Sequence, residues 1–259
     1  MSTGLKSTAL KIIAFAMAAG LSAMVAGGSA IAAEINVVST PGPMPEVMGA
    51  LIPIFERASG HKVTIKFQGA PATISQLKEG AGIDLLIADE DVIGNLVKDG
   101  TIAAGGSSRV MLSRVGVAVR AGAPKPNIGS ADALKAALVA AKSVAYSQGA
   151  SGQHFLTVIA RLGLVDTLKP KTIIVQGKPV GAAVAAGEAE IGIQQVAELL
   201  PVPGIDLVGP LPGDLQKIIV YVAGVTAKAK DPEAAKALVN FLASEAAVSV
   251  MKQKGMDPG

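Results

Sequence analysis

Two stretches decide how this chain folds: residues 110–119, VMLSRVGVAV, and residues 217–225, KIIVYVAGV. Each is a long apolar, β-branched run whose only turn-forming residue is a single glycine, Gly116 or Gly224, so each reads as a long strand. Around them, short β-branched runs alternate with longer alanine-rich helical stretches. That alternation predicts an α/β fold with mostly parallel sheets. Upstream, Ile35–Ser39, Val63–Phe67 and Ile83–Ala88 read as strands, separated by a helix from Met44 to Ser59 and another over Ala72–Glu79. Met44, Val47, Met48, Leu51, Ile54 and Phe55 share one face of the first helix, Pro53 is expected to bend or interrupt it, and Gly60 is placed to end it.

Between the two long strands lies a second series of strand–helix units. It opens after the loop Ala121–Asn127, with Ser130 as the cap of a helix to about Ala141. Strands at Val144–Tyr146, Thr172–Val175 and Ile191–Gln194 follow, with helices over Gln153–Leu162 and Val180–Ala186. The chain therefore divides into lobe one, residues 34–118 plus 218–259, and lobe two, residues 119–217, joined by a two-strand hinge. A hinge between α/β lobes is a device for closing on a ligand.

The first 33 residues are a different physical object. Lys6 and Lys11 are the only charges before Glu34, an apolar small-residue run spans Ile12–Ala26, and Ala30-Ile31-Ala32 fits a small-x-small cleavage site. The expectation is a cleaved signal peptide, hence an exported, periplasmic protein. Removing the leader leaves 21 basic against 20 acidic side chains, from 23 and 20 in the whole chain. No electrostatic case for a nucleic-acid partner survives. Zero cysteines excludes disulfides, thiolate metal sites, a cysteine nucleophile and a lipid anchor at the new N-terminus. With no Trp, two Tyr and five Phe, the chain can hardly build the aromatic platform on which a sugar stacks.

In doubly wound α/β folds ligands sit beyond the C-terminal ends of strands, against helix N-termini whose unpaired N–H groups favour anions. Four loops meet that description: Ser39–Met44, Gly69–Thr73, Gly149–His154 and Gln176–Val180. Their candidate ligand residues are Ser39, Thr40, Gly42, Gly69, Ala70, Ser151, Gly152, Gln153, His154 and Lys178, with Gln195 at the end of a later strand. Lys178 at a helix start opposes the macrodipole, and a bound carboxylate or phosphate would answer that cost. His154, also near a helix start, is expected as a neutral hydrogen-bonding ring. Asp89-Glu90-Asp91 opens a helix and reads as capping and dipole compensation. Catalytic motifs (a G-x-S-x-G elbow, H-E-x-x-H, a P-loop) do not occur, and two histidines, His61 and His154, suggest no metal site.

Several segments together resemble the periplasmic molybdate-binding family of type-2 solute-binding proteins. They are Ile54–Val63, Phe67–Ala70 with Gln76-Leu77 and Glu79–Ala81, Asp84 with Ala88-Asp89, Ala185–Ile193, and Asp231–Ala235. Their order covers nearly the whole chain after the leader. The resemblance implies a two-lobed periplasmic binding fold, a monomeric carrier for an ABC-type importer, and a membrane permease as partner, with no cofactor and no catalysis. The ligand loops depart from the family pattern. Where it offers two serine hydroxyls, this chain has Gly42 and Ala70. Where it offers a tyrosine after the strand ending Gly192-Ile193, this chain has Gln194-Gln195, and Ser151-Gly152-Gln153-His154 replaces a proline-led loop. The ligand expected is therefore a small organic acid or other anion. A molybdate- or tungstate-like oxyanion is the alternative, and a secreted hydrolase on the same scaffold is the alternative of another class. An effector-sensing regulator would need a DNA-binding segment where the leader stands.

Overall fold

The computed structural model describes residues 32–259; the expected signal peptide, residues 1–33, lies outside the described residues but for its last two. In chain order the first elements are β1 (Glu34–Ser39), α1 (Met44–Ser59), β2 (Lys62–Phe67), α2 (Ala70–Lys78), β3 (Leu85–Asp89) and α3 (Glu90–Lys98). The chain continues through β4 (Ile102–Arg120), α4 (Ala131–Ala140), β5 (Val144–Ser147), α5 (Ala150–Arg161), α6 (Val165–Leu168), β6 (Thr172–Val175), α7 (Val180–Ala185), β7 (Ile191–Gln195) and α8 (Val196–Leu199). It ends with β8 (Ile205–Pro210), β9 (Ile218–Thr226), α9 (Pro232–Leu242), α10 (Glu245–Gln253) and β10 (Met256–Pro258).

The strands run in the order β2-β1-β3-β9-β4-β7-β5-β6, with β8 and β10 also on β4. Parallel triplets, β2-β1-β3 and β7-β5-β6, form the flanks. Antiparallel β9 and β4 run down the middle. Strand β4 belongs to both halves. From Ser107 to Arg114 it pairs with β9, and from Val115 to Val119 with β7. It is longer than its apolar run predicts, because the pairing with β9 begins at Ile102 and skips across Gly105-Gly106, a bulge with Gly105 at φ 71°. Strand β9 pairs only with β3 and β4, so of the two long strands β4 alone is hydrogen-bonded to strands of both halves.

At the point where β9 has not yet begun, a side chain stands in for a strand. Gln216 accepts from the Val115 N–H through Oε1 (3.0 Å) and donates to the Val115 carbonyl through Nε2 (2.9 Å). Its amide satisfies both backbone groups of a buried residue at the crossover.

The core follows the predicted apolar faces. Met44, Val47, Met48, Leu51 and Phe55 of α1 are buried while Ile54, at the edge of that face, is half-buried, and the helix continues across Pro53 rather than breaking there. Leu85, Leu86, Ile87 and Ala88 of β3 are buried on both faces, as a central strand between helical layers requires. Gly60 ends α1 in the left-handed region, and Ser130 caps α4 by accepting from Ala133 N. Asp89-Glu90-Asp91 correct one expectation: Asp89 occupies the N-cap of α3 but makes no side-chain cap bond.

Asp84 is a structural carboxylate. It is 2% exposed and accepts from Asn36 N (2.8 Å) and Lys230 N (2.7 Å), tying β1 to the turn between β9 and α9. Among the described residues no single helix is long and apolar enough to cross a membrane.

Candidate functional site

Every parallel strand delivers its C-terminal end to a loop that starts a helix, and these loops are tied to one another. In the first half Thr40 N donates to Ile87 O (2.9 Å) and Gln68 N to Ser39 O (3.0 Å), so the loops after β1, β2 and β3 lie side by side. In the second half Gln176 Nε2 donates to Gln148 Oε1 (3.4 Å), and Val180 N donates to Gln194 Oε1 (2.9 Å). The starts of α5 and α7 and the end of β7 are thereby held together.

The two halves meet at Gln195. The Tyr221 hydroxyl of β9 donates to Gln195 Oε1 (3.1 Å). Gly42, in the loop after β1 at φ 79°, lies against both groups: a Cβ there would stand 3.3 Å from Gln195 Nε2 and 3.3 Å from the Tyr221 oxygen. Beside it the Thr40 hydroxyl is buried without a partner. Tyr221 stands opposite Asp89, the last residue of β3.

Glu198, one turn beyond Gln195, completes the cluster. Gln194 Nε2 donates to its carboxylate (2.8 Å), with the Gln194 amide fixed from the other side by Val180 N. Burial dominates and pushes the Glu198 carboxyl up to about 7, although hydrogen bonds from Gln194 and Gln195 pull the other way. Burial likewise raises Asp89, opposed by the charge of Lys217. The Tyr221 phenol is raised by burial first and then by Asp89 and Glu198, so it remains a hydroxyl donor.

Of the predicted ligand residues, Thr40, Gly42 and Gln195 come together here. Ser39 is fully buried beside them, its hydroxyl donating to Thr40 O. Gly69 caps α2 in an extended conformation with Ala70 as its first residue, next to the Ser39 loop through Gln68. Helix α5 starts three residues earlier than its periodicity suggests. Ser151, Gly152, Gln153 and His154 therefore lie within its first turns instead of in a loop before it. Gly152 sits so close to the end of β5 that a Cβ would fall 1.5 Å from Ser147 O. Ser151 is buried, while exposed Gln153 reaches only to Gln148 O at 3.5 Å.

Two of the candidate ligand residues have protein partners. Lys178 is paired with Glu188, its Nζ at 2.7 and 2.8 Å from the two carboxylate oxygens, so Glu188 answers its charge in this structure. His154 donates from Nε2 to Leu215 O (2.7 Å), fastening α5 to the segment before β9. His61 is structural too, its Nδ1 accepting from Ala33 N. Among the described residues no three His, Asp or Glu side chains are placed to hold a metal.

Tyr221, Glu198 and Gln194 were not visible as site residues in the sequence. Tyr221 is hidden inside an apolar strand, and Glu198 reads as a helical surface charge. The one available signal was the missing tyrosine after the Gly192-Ile193 strand; the tyrosine found at this junction comes from β9.

Two mixed α/β halves sharing β4, with their strand C-termini meeting across one set of loops, define a two-lobed solute-binding fold of the type-2 periplasmic class. The comparisons with known proteins agree. The family model for bacterial extracellular solute-binding proteins matches residues 35–257, and the chain belongs to that family. It is 37% identical over 232 residues to an aconitate isomerase from a Pseudomonas species, covering 86% of this chain and 87% of that one. It is 31% identical over 262 residues to the molybdate-binding protein ModA of Azotobacter vinelandii, covering 96% and 98%. Among solved structures, a substrate-binding domain assigned to a molybdenum ABC transporter of Clostridium difficile superposes with a TM-score of 0.75 at 20% identity, covering 87% of this chain and 99% of that one. The sulfate-binding protein SubI of Mycobacterium tuberculosis superposes with 0.66 at 22%, covering 87% of each. At these identities the two structures speak to the fold alone.

Proposed function

We propose that the chain is the periplasmic carrier of an ABC-type importer, which closes residues 34–118 plus 218–259 and residues 119–217 around a small organic acid and presents it to a membrane permease. In this reading residues 1–33 are a signal peptide removed on export, and the carrier is a monomer that changes no bond in its cargo. The observation that supports it best is the junction of Gly42, Gln195 and Tyr221, where the loop after β1 meets side chains from β7 and β9. Thr40, Gly42, Gly69, Ala70, Ser151 and Gln195 are the ligand contacts proposed, through backbone N–H groups and neutral hydrogen bonds. Lys178, Gln153 and His154 drop to the margin.

An organic acid is favoured over a tetrahedral oxyanion for two reasons. The two positions where molybdate binders resembling this chain would offer hydroxyls are Gly42 and Ala70, and the cluster carries carboxyls in place of cations. Thermal-shift measurement against a panel of di- and tricarboxylic acids, molybdate, tungstate and sulfate tests the reading. A ligand at roughly a hundredfold excess over its dissociation constant raises the melting temperature by about 5–10 °C. If no anion in the panel moves it, the carrier reading fails.

A second reading is favoured by one observation, the 37% identity to a protein named for isomerising aconitate. On that reading the same cleft would interconvert the geometric isomers of an unsaturated tricarboxylic acid, with Glu198 and Tyr221 as the titratable groups nearest the junction. Incubating the protein with trans-aconitate and following the cis isomer by proton NMR separates the two: a carrier returns the acid unchanged.

A further inference from the structure

The cleft proposed above for an anion contains two half-buried carboxyls: Asp89, which feels the charge of Lys217, and Glu198, held by neutral amides. Glu198 is the more constrained of the two. Gln194 grips one of its oxygens, and the Gln194 amide is itself held by the N-terminus of α7. Gln195, the next residue along, also hydrogen-bonds to Glu198 while accepting from Tyr221 and lying against Gly42. Glu198 is thus one amide away from the loop that the carrier reading assigns to the ligand.

The groups facing it can be named element by element. From β7 come only the neutral amides of Gln194 and Gln195, and α7 contributes no charge, its residues being Val180 to Ala185. From β9 comes the Tyr221 hydroxyl and from β3 the Asp89 carboxyl, with Lys217 near Asp89. From β4, Arg114 is ion-paired to Asp257 of β10 (2.9 Å). Arg114 and Lys252 line a groove with Val196, Leu207 and Met256 that does not include Glu198 among its lining residues. From β8, Asp206 accepts from Gly122 N at the far end of the strand. Among the described residues Glu198 forms no ion pair; its carboxylate is held by the Gln194 amide.

An anion entering such a site meets a negative neighbour in a poorly solvated place, where Coulomb repulsion at about 4 Å amounts to several kcal/mol. One proton removes it and converts the repulsion into a hydrogen bond. We infer that Glu198 is the specificity-determining residue of the cleft, and that its carboxyl shares one proton with an oxygen of the bound ligand. The site then takes a polycarboxylic acid together with a single proton. Repulsion among a polycarboxylate's own charges raises its last ionisation towards neutrality, so its proton affinity matches that of a buried glutamic acid. Sulfate and molybdate carry no proton at neutral pH and match it poorly. This inference rests on the carrier reading of the cleft, or on the isomerase reading, which needs the same ligand class.

Isothermal titration of the full soluble protein with trans-aconitate, in two buffers of different ionisation enthalpy, counts the protons directly. At about pH 8 the expected uptake is about one proton per ligand, with affinity falling roughly tenfold per pH unit above about 7. In Glu198→Gln, whose amide supplies a permanent donor, aconitate binds with uptake near zero and an affinity flat across that range. Molybdate binds wild type at least a hundredfold more weakly than aconitate. Binding of aconitate by wild type without proton uptake overturns the inference and leaves the carrier reading standing. So does an uptake that persists in Glu198→Gln or disappears in Asp89→Asn instead. If neither aconitate nor any other polycarboxylic acid binds at all, the cleft reading falls with it.

Discussion

At Gly42 a single hydrogen atom where other residues carry a side chain decides how the two halves meet. The residue has φ 79°, and a Cβ would press on Gln195 Nε2 and the Tyr221 oxygen at 3.3 Å each. Gly42→Ala is expected to cost roughly 1–2 kcal/mol of stability from the left-handed backbone alone, and to weaken ligand binding further by pushing Gln195 aside. Chemical denaturation and titration calorimetry measure the two effects separately. At Glu198 the expectation concerns pH. Its carboxyl titrates near 7 in the folded protein, against 4.5 for an ordinary glutamate. Between those values the folded state holds a proton that the unfolded chain has released, so stability is fully present below about 4.5 and is lost as pH rises through 7. The loss is on the order of 3 kcal/mol, and Glu198→Gln should flatten that part of the melting-temperature profile. Individual residues were also where the sequence was hardest to read. Gly42 and Gln195 could be chosen because strand ends and loops are visible in a pattern. The partner of Lys178 could not be read off, because Glu188 lies ten residues away across the start and end of one short helix. Tyr221 and Glu198 gave no local signal, since only the pairing of β9 with β3, and the folding of α8 back on β7, brings them to the site.

Helices and strands were much more legible, because apolar periodicity and caps are local. The buried face of α1, the serine cap of α4 and the left-handed end at Gly60 all follow from spacing and residue type. Helix α5 escaped by three residues for a tertiary reason: Ala150 to Gly152 are drawn into the helix against the end of β5, and only a glycine fits over Ser147 O. Two polar contacts hold elements in place and can be tested as such. Asp84 supplies acceptors for two backbone N–H groups that would otherwise be left without a protein partner, so Asp84→Ala is expected to cost roughly 3 kcal/mol in urea unfolding. Lys171 gathers the carbonyls of Leu138 (3.0 Å), Val139 (2.6 Å) and Ala141 (2.7 Å) at the end of α4, favourable both as hydrogen bonds and against the helix dipole. Lys171→Met, which keeps most of the apolar stem, should cost about 1 kcal/mol. An unchanged midpoint in either variant would remove that contact from the account.

At the scale of the whole molecule, the two apolar runs proved to be central strands, but not equivalent ones. β4 carries hydrogen bonds into both halves, whereas β9 is paired only on the first and is approached through Gln216, a side chain acting as strand partner to Val115. The sequence shows two long apolar runs; it does not show pairing partners, which depend on contacts a hundred residues apart. The claim on which the functional account turns is that the halves move towards each other when a ligand enters. The chain has no cysteine, so a label can be placed on each half without competition, at exposed Lys78 of α2 and exposed Thr157 of α5. The most direct measurement is the distance between spin labels on the Lys78→Cys, Thr157→Cys protein, with and without saturating polycarboxylic acid. The account predicts one shorter, narrower distance distribution in the bound state; an unchanged distribution, with binding verified by calorimetry on the same labelled sample, would contradict it.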